Sequence, residues 1–145
     1  MHYKGNETHV VMAMEVEVDV KSGVIQLTRM AYTHDCGLVG NQDGARSQTE
    51  DNLLHTLSWI LHKEVKVARS RVNSTDWLSY RILTFPEVPS LLIDVIDRPD
   101  QPPLGAGEAA ATPVPAALAN AVFDFCGIRL RMVPFAADKA KALLA

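Results

Sequence analysis

The sequence predicts an α+β domain in which two principal helices pack on a mixed sheet. Three observations lead to this fold class: a pair of β-rich segments near the N-terminus, a helical spacing of apolar residues in the middle of the chain, and an alanine-rich apolar stretch that ends at a glycine. The chain has 145 residues and contains no internal repeat or low-complexity linker. We therefore expect one domain spanning residues 1–145.

The first elements form a predicted hairpin. Apolar and acidic residues alternate towards the end of the segment Thr8–Val18, which is the period of a strand with one solvated face. Lys21–Gly23 supplies a turn, and Val24–Tyr32 resumes the β-rich composition. The glycines and asparagine of Asp35–Asp43 then indicate a loop.

The middle of the chain predicts one long helix and two further β elements. Residues Gly44–His62 carry apolar side chains at three- and four-residue spacings, with Asp43 available as the N-cap. Glu64–Ala68 and Arg71–Asn73 favour a short hairpin, and the apolar run Leu91–Ile96 is typical of a strand.

The last third predicts a second principal helix over Pro113–Cys126, ended by Gly127 as its C-cap. Because this segment is nearly all apolar, we expect the helix to be buried. A closing strand is predicted over Ile128–Val133, and a terminal helix over Ala136–Leu144.

Composition excludes several classes of protein. With 48% hydrophobic and 21% charged residues the chain is typical of a globular domain, and a net charge of -3 disfavours nucleic-acid binding. The longest apolar runs predict no membrane span, and no export signal is visible, so we expect a cytoplasmic protein. Cys36 and Cys126 are predicted to be reduced thiols. The histidines show no metal-binding spacing, so no metal bound directly by side chains is expected. No serine lies in a hydrolase motif, so a catalytic triad is not expected either.

Glu108 is the first candidate for chemistry because it lies between Gly105-Ala106-Gly107 and three alanines. Glycines permit close approach of a ligand, and apolar neighbours strengthen a carboxylate as a base. The same residues are also typical of a loop glutamate near the start of a helix, stabilised by the helix dipole. From the residues alone, this structural role is favoured.

The loop Asp35–Gly44 is the second candidate. Its small residues precede a helix, as in phosphate-binding loops, but the known glycine patterns are absent and a capped helix entry is favoured. Gln48, one turn inside that helix, is predicted to lie on a solvated face or to face a ligand.

Several segments together resemble one family. Asn41–Glu50, preceded by His34–Gly37, is similar to a loop-and-helix motif of molybdenum hydroxylase large subunits. Gly105–Ala110 is similar to their GxGE motif, and Ala117–Asp124 to the helix that follows it. The chain therefore resembles the C-terminal part of the second molybdopterin-binding region in the xanthine dehydrogenase and aldehyde oxidase family, of the nicotinate dehydrogenase or isoquinoline 1-oxidoreductase type.

This resemblance implies roles for individual residues. Glu108 would be the catalytic base, and Gln48 would contact the pterin cofactor. Gly105, Ala106 and Gly107 would bring backbone close to the molybdenum centre. The cofactor would be molybdopterin as its cytosine dinucleotide. Iron–sulfur clusters on a separate small subunit would take the electrons.

The resemblance also implies a reaction. The chain would be part of a molybdopterin-dependent hydroxylase that oxidises an N-heterocycle or aldehyde with water as the oxygen source. It would need the N-terminal portion of the large subunit, so the isolated chain is expected to be inactive. The alternative is a truncated, non-catalytic remnant domain that folds and self-associates through an exposed apolar surface.

Overall fold

The computed structural model describes residues 2–3 and 6–144, with side chains from residue 8 onward. In chain order the elements are strands β1 (His2–Tyr3), β2 (Asn6–Glu7), β3 (His9–Asp19) and β4 (Val24–Asp35), helix α1 (Gln42–Leu61), strands β5 (Val67–Ala68), β6 (Arg71–Val72) and β7 (Ser90–Ile96), and helices α2 (Val114–Cys126) and α3 (Ala137–Leu144). Single 3₁₀ turns cover Phe85–Glu87 and Glu108–Ala110.

The main sheet has three strands in the order β3-β4-β7. β3 and β4 form the predicted hairpin, and β7 lies parallel to β4, so the sheet is mixed as expected. The hairpin closes at Gly23, whose amide donates to the Asp19 carbonyl at 2.7 Å. Its backbone φ of +78° is one that glycine adopts without strain. The short hairpin is also confirmed, as β5 and β6.

The core lies between one face of this sheet and the two principal helices. α1 packs against β7, and α2 packs against β3 and α1. The fully buried side chains of this core include Met30, Leu53, Leu57, Val114 and Leu118. Burial of one such side chain stabilises the fold by about 1.5–3 kcal/mol. The predicted α+β class with two helices on a mixed sheet is therefore confirmed.

The start of α1 differs from the prediction. The helix begins at Gln42, and Asn41 is its N-cap, with the side-chain Oδ1 accepting a hydrogen bond from the Gly44 amide at 2.9 Å. Asp43 instead lies in the first turn, where its carboxylate faces the positive end of the helix dipole. Both residue types cap helices well, and the backbone turn at Asn41 decides between them.

The closing strand predicted over Ile128–Val133 is wrong, because these residues are irregular. The chain here leaves α2 and meets the end of α1, where the Phe135 amide donates to the Ile60 carbonyl at 2.5 Å. Strand-forming side chains give a strand only where the backbone pairs with another strand, and these residues pair with none of the three strands of the main sheet. The terminal helix is confirmed as α3.

The expectation that α2 is buried all round is also wrong. Val114, Leu118 and Val122 are buried, whereas Phe123 and Phe125 are exposed. By length and composition alone, residues 108–126 would be long and apolar enough to cross a membrane, which the short apolar runs did not suggest. Core helices meet the same criterion, and the buried face of α2 packs on the sheet and α1 as a core helix does.

His34 on β4 is a fully buried imidazole. Its Nε2 lies 2.7 Å from the hydroxyl of Thr8, and that hydroxyl donates to the carbonyl of Asp35 at 2.8 Å. The hydroxyl proton is thereby used, so Nε2–H is the donor to Thr8 and Nδ1 is unprotonated. Nδ1 has no hydrogen-bond partner among the described residues. Burial holds the pKa of His34 below its ordinary value, and the Asp35 carboxylate opposes this shift more weakly.

Acid is therefore expected to destabilise the fold through His34. The pKa of His34 is lower in the folded chain than in the unfolded chain. Below about pH 6.5 the unfolded chain therefore binds a proton at this imidazole while the folded chain does not, and the free energy of unfolding falls. Urea unfolding at about pH 7.5 and pH 5 measures the loss. The loss is expected to be smaller in His34→Gln and unchanged in His55→Gln, whose side chain is exposed. An equal loss in His34→Gln would contradict this account.

Candidate functional site

The loop after β4 holds the segment that leads to Glu108. The Cys36 carbonyl accepts from the Leu104 amide at 2.9 Å, and the Gly37 carbonyl accepts from the Arg98 amide at 3.0 Å. The Arg98 guanidinium pairs with the Asp35 carboxylate at 2.9 Å. This hydrogen bond and that from the Gly37 amide hold the pKa of Asp35 below its ordinary value. Two chain segments distant in sequence are thus fixed to one another.

At Gly37 these two segments approach one another closely. Its φ is +78°, and a Cβ added there would lie 2.1 Å from the carbonyl oxygen of Pro102. Only glycine combines this backbone conformation with such an approach. Gly40, further along the same loop, has no atom within 4 Å of an added Cβ.

The backbone amides of the loop Asp35–Gly44 show whether it could bind phosphate. Two of its amides already have partners within the protein: Gly37 donates to Asp35 Oδ1 at 3.2 Å, and Val39 donates to Asp97 Oδ1, outside the loop, at 2.9 Å. Gly44 donates to the N-cap. These contacts support the helix-entry interpretation of the loop.

Gln48 and the Gly105–Glu108 segment lie side by side. A Cβ added to Gly107 would be 4.0 Å from Gln48 Oε1, so the side-chain amide of Gln48 lies near this glycine. Gly105 turns the chain with a φ of +83° and has open space where a side chain would lie. Ala106, which stands between Gly105 and Gly107 in the chain, is half-buried. Four of the predicted site residues are therefore brought to one place, and Glu108 follows at the start of a 3₁₀ turn.

Glu108 is exposed and lines a cavity of about 700 Å³ between α1 and the start of α2. The other lining residues are Asn52, His55, Thr56, Trp59, Ile60, Ala111, Thr112, Pro115 and Val133. A concave, largely apolar surface with a few polar groups is the usual form of a small-molecule site. The described residues leave the cavity open to solvent on the Glu108 side, so they do not provide the water exclusion expected around a general base.

The α1 residues of this wall were missed by the sequence reasoning. Asn52, His55 and Trp59 follow Gln48 at three- and four-residue intervals and so continue its face of the helix. The indole of Trp59 contacts the His55 ring, with centroids 4.9 Å apart. The signal was a polar and aromatic stripe beginning at Gln48, which helical periodicity could have revealed.

Other predicted features of the site concern thiols and metals. Cys36 and Cys126 are free, and burial raises the pKa of the Cys36 thiol. Within residues 2–3 and 6–144, no group of three or more His, Cys, Asp or Glu side chains is arranged to hold a metal ion.

The architecture has solved counterparts. The aldehyde oxidoreductase of Desulfovibrio desulfuricans superposes with a TM-score of 0.84 at 22% identity, over 95% of this chain and 16% of that one. This likeness establishes the fold, which is that of a part of a much larger oxidoreductase. The profile of the molybdopterin cofactor-binding domain matches residues 3–89. The chain belongs to this family, and the predicted kinship with molybdenum hydroxylase large subunits is confirmed.

Two proteins of similar sequence support the same family assignment. One is a component of the nicotinate dehydrogenase of Pseudomonas putida, 40% identical over 90% of this chain and 11% of the relative. The other is the beta chain of the isoquinoline 1-oxidoreductase of Brevundimonas diminuta, 25% identical over 89% of this chain and 16% of the relative. The chain thus spans less than a fifth of the length of either protein. Gln48 lies inside the residues matched by the family profile, whereas Glu108 lies beyond them.

Proposed function

We propose that this chain forms part of the molybdopterin site of a hydroxylase that oxidises an N-heterocycle or an aldehyde with water as the oxygen source. The observation that carries the proposal is the approach of Gln48 to Gly107, which brings a helix amide, a glycine backbone and the Glu108 carboxylate to one surface. The names of the relatives support the substrate classes, since nicotinate and isoquinoline are N-heterocycles and the solved counterpart acts on aldehydes.

The residues present fit a pterin cofactor. The Gln48 side chain is exposed and makes no hydrogen bond to any other residue that the structure describes, so both its donor and its acceptor are available. Gly107 leaves open the space beside that amide which a side chain would occupy. Gln48, Gly105, Ala106 and Gly107 would hold the group from this side. When bound, the cofactor supplies the two-electron redox chemistry that no side chain of this protein can perform.

Glu108 has the proton-transfer role. Its carboxylate lies at the wall of the cavity and would take the proton released as an oxygen from water reaches the substrate carbon. The exposed carboxylate needs a cover that excludes water, and the remaining portion of the large subunit would provide it. The isolated chain is then inactive.

The same proposal includes partners and the form of the cofactor. Both relatives are named as subunits, which supports an assembly of several chains. In this assembly the N-terminal portion of the large subunit encloses molybdopterin cytosine dinucleotide, and a small subunit with iron–sulfur clusters accepts the electrons.

Gln48→Ala tests the cofactor contact. A hydrogen bond contributes about 0.5–1.5 kcal/mol, so cofactor occupancy of the assembled complex at limiting cofactor is expected to fall by about twofold to tenfold. Molybdenum and pterin content per complex measure this. Gln26→Ala on β4, also an exposed glutamine, is the matched control and should leave occupancy unchanged. Equal occupancy in the two variants would remove Gln48 from the site.

One observation favours a second candidate, the non-catalytic self-associating domain. Trp77, Leu78 and Phe85 expose 78%, 95% and 91% of their surface, an unusual set for a monomer. Light scattering of the purified chain distinguishes the candidates. A concentration-dependent dimer that survives addition of the partner subunits supports the second, and a monomer argues against it.

A further inference from the structure

A second cavity lies between the irregular segment after α2 and helix α3. Its volume is about 400 Å³, within the range of ligand pockets. Leu130, Phe135 and Ala140 form a buried apolar floor. Met132 and Leu143 are 72% and 53% exposed and form its rim. The cavity therefore offers an apolar slot that opens at the surface.

The charged residues that line this slot in the described part of the chain are all basic. They are Arg129, Arg131 and Lys139, although the whole chain carries a net charge of -3. The Lys139 ammonium pairs with the Glu64 carboxylate at 2.8 Å. The Arg129 guanidinium donates to Asn120 Oδ1 at 2.6 Å and lies over the Phe123 ring.

Arg131 differs from the other two cations. It makes no ion pair and no side-chain hydrogen bond with any residue in the described part of the chain. Its guanidinium is thus an uncompensated positive charge beside an apolar slot. A ligand that satisfies both features has an anionic head group, which a guanidinium binds in a fork of two hydrogen bonds, and a hydrocarbon tail.

We propose that this slot binds a free alkyl carboxylate, with its tail on Leu130, Phe135 and Ala140 and its head group on Arg131. The slot shares no lining residue with the Glu108 cavity, although Met132 of the slot and Val133 of that cavity are neighbours in the chain. Tail and head group each contribute, so removal of either one weakens binding.

The test is a titration of the full chain with octanoate, followed by the amide NMR signals of Leu130 and Ala140. Octanoate is expected to shift these signals saturably. Octanol keeps the tail without the charge, acetate keeps the charge without the tail, and each should bind at least about threefold to tenfold more weakly. Arg131→Gln should weaken octanoate by a similar factor and leave octanol unchanged. Arg71→Gln, an exposed arginine on β6, is the matched control and should change neither.

Three outcomes would overturn the proposal. One is the absence of a saturable shift with octanoate. Another is equal binding of octanol and octanoate, which would reduce the site to an apolar surface. The third is sedimentation of the chain with anionic phospholipid vesicles while free octanoate shifts nothing, which would identify a membrane surface instead.

Discussion

Gly37→Ala is expected to destabilise the fold strongly and to displace the segment that carries Gly105 and Glu108. A Cβ at this position would lie 2.1 Å from the Pro102 carbonyl oxygen, and the φ of +78° is unfavourable for alanine. The left-handed conformation costs about 1–2 kcal/mol. Overpacking against backbone costs about 1–3 kcal/mol more. The free energy of unfolding should therefore fall by roughly 2–5 kcal/mol.

Denaturant unfolding measures this loss, and hydrogen exchange of the Leu104 amide reports the displacement locally, because that amide donates to the carbonyl beside Gly37. Gly40→Ala is the matched control, since nothing lies within 4 Å of its added Cβ. If the two variants unfold alike and Leu104 keeps its protection, the contact between the two segments is not what positions the Glu108 loop.

Glu108→Gln is expected to abolish most of the turnover of the assembled hydroxylase while the cofactor stays bound. The amide keeps the shape of the side chain and cannot accept the proton, and loss of a general base costs about 10²–10⁴-fold in rate. The readouts are turnover and molybdenum content of the same preparation.

The control for this substitution is Glu17→Gln. Glu17 is an exposed carboxylate on β3, outside the Glu108 cavity, and its substitution should leave turnover at the wild-type level. A Glu108→Gln enzyme that turns over normally with full cofactor would assign the proton transfer to another group. Loss of cofactor with loss of turnover would instead make Glu108 a binding residue.

Periodicity predicted the elements that carry their own local signal. The alternation before Asp19 and the turn at Gly23 specify the hairpin, and the spacing of apolar residues specifies α1. Periodicity failed to predict the structure where tertiary contacts determine it. Residues 128–133 have strand composition but pair with no strand of the sheet, and α2 leaves Phe125 exposed although its sequence is nearly all apolar.

The candidate site also has features that the local sequence predicts and features that it does not. Glu108 was visible from its glycine and alanine neighbours, but spacing alone favoured a structural role for it. Gln48 and Gly107 lie near one another although 59 residues separate them in the chain, and no local pattern contains this proximity. The same holds for the pairing of Asp35 with Arg98. Only the resemblance to a family linked Gln48 with the segment of Gly107, and the structure shows that the two lie near one another.

The most direct test of the central claim is the molybdenum content of the purified chain, measured by inductively coupled plasma mass spectrometry. The chain is produced in a host supplied with molybdate, alone and together with the N-terminal portion of a large subunit. The account predicts stoichiometric molybdenum in the co-produced complex and none in the chain alone, because both portions must enclose the cofactor. A stable complex that contains no molybdenum would contradict it.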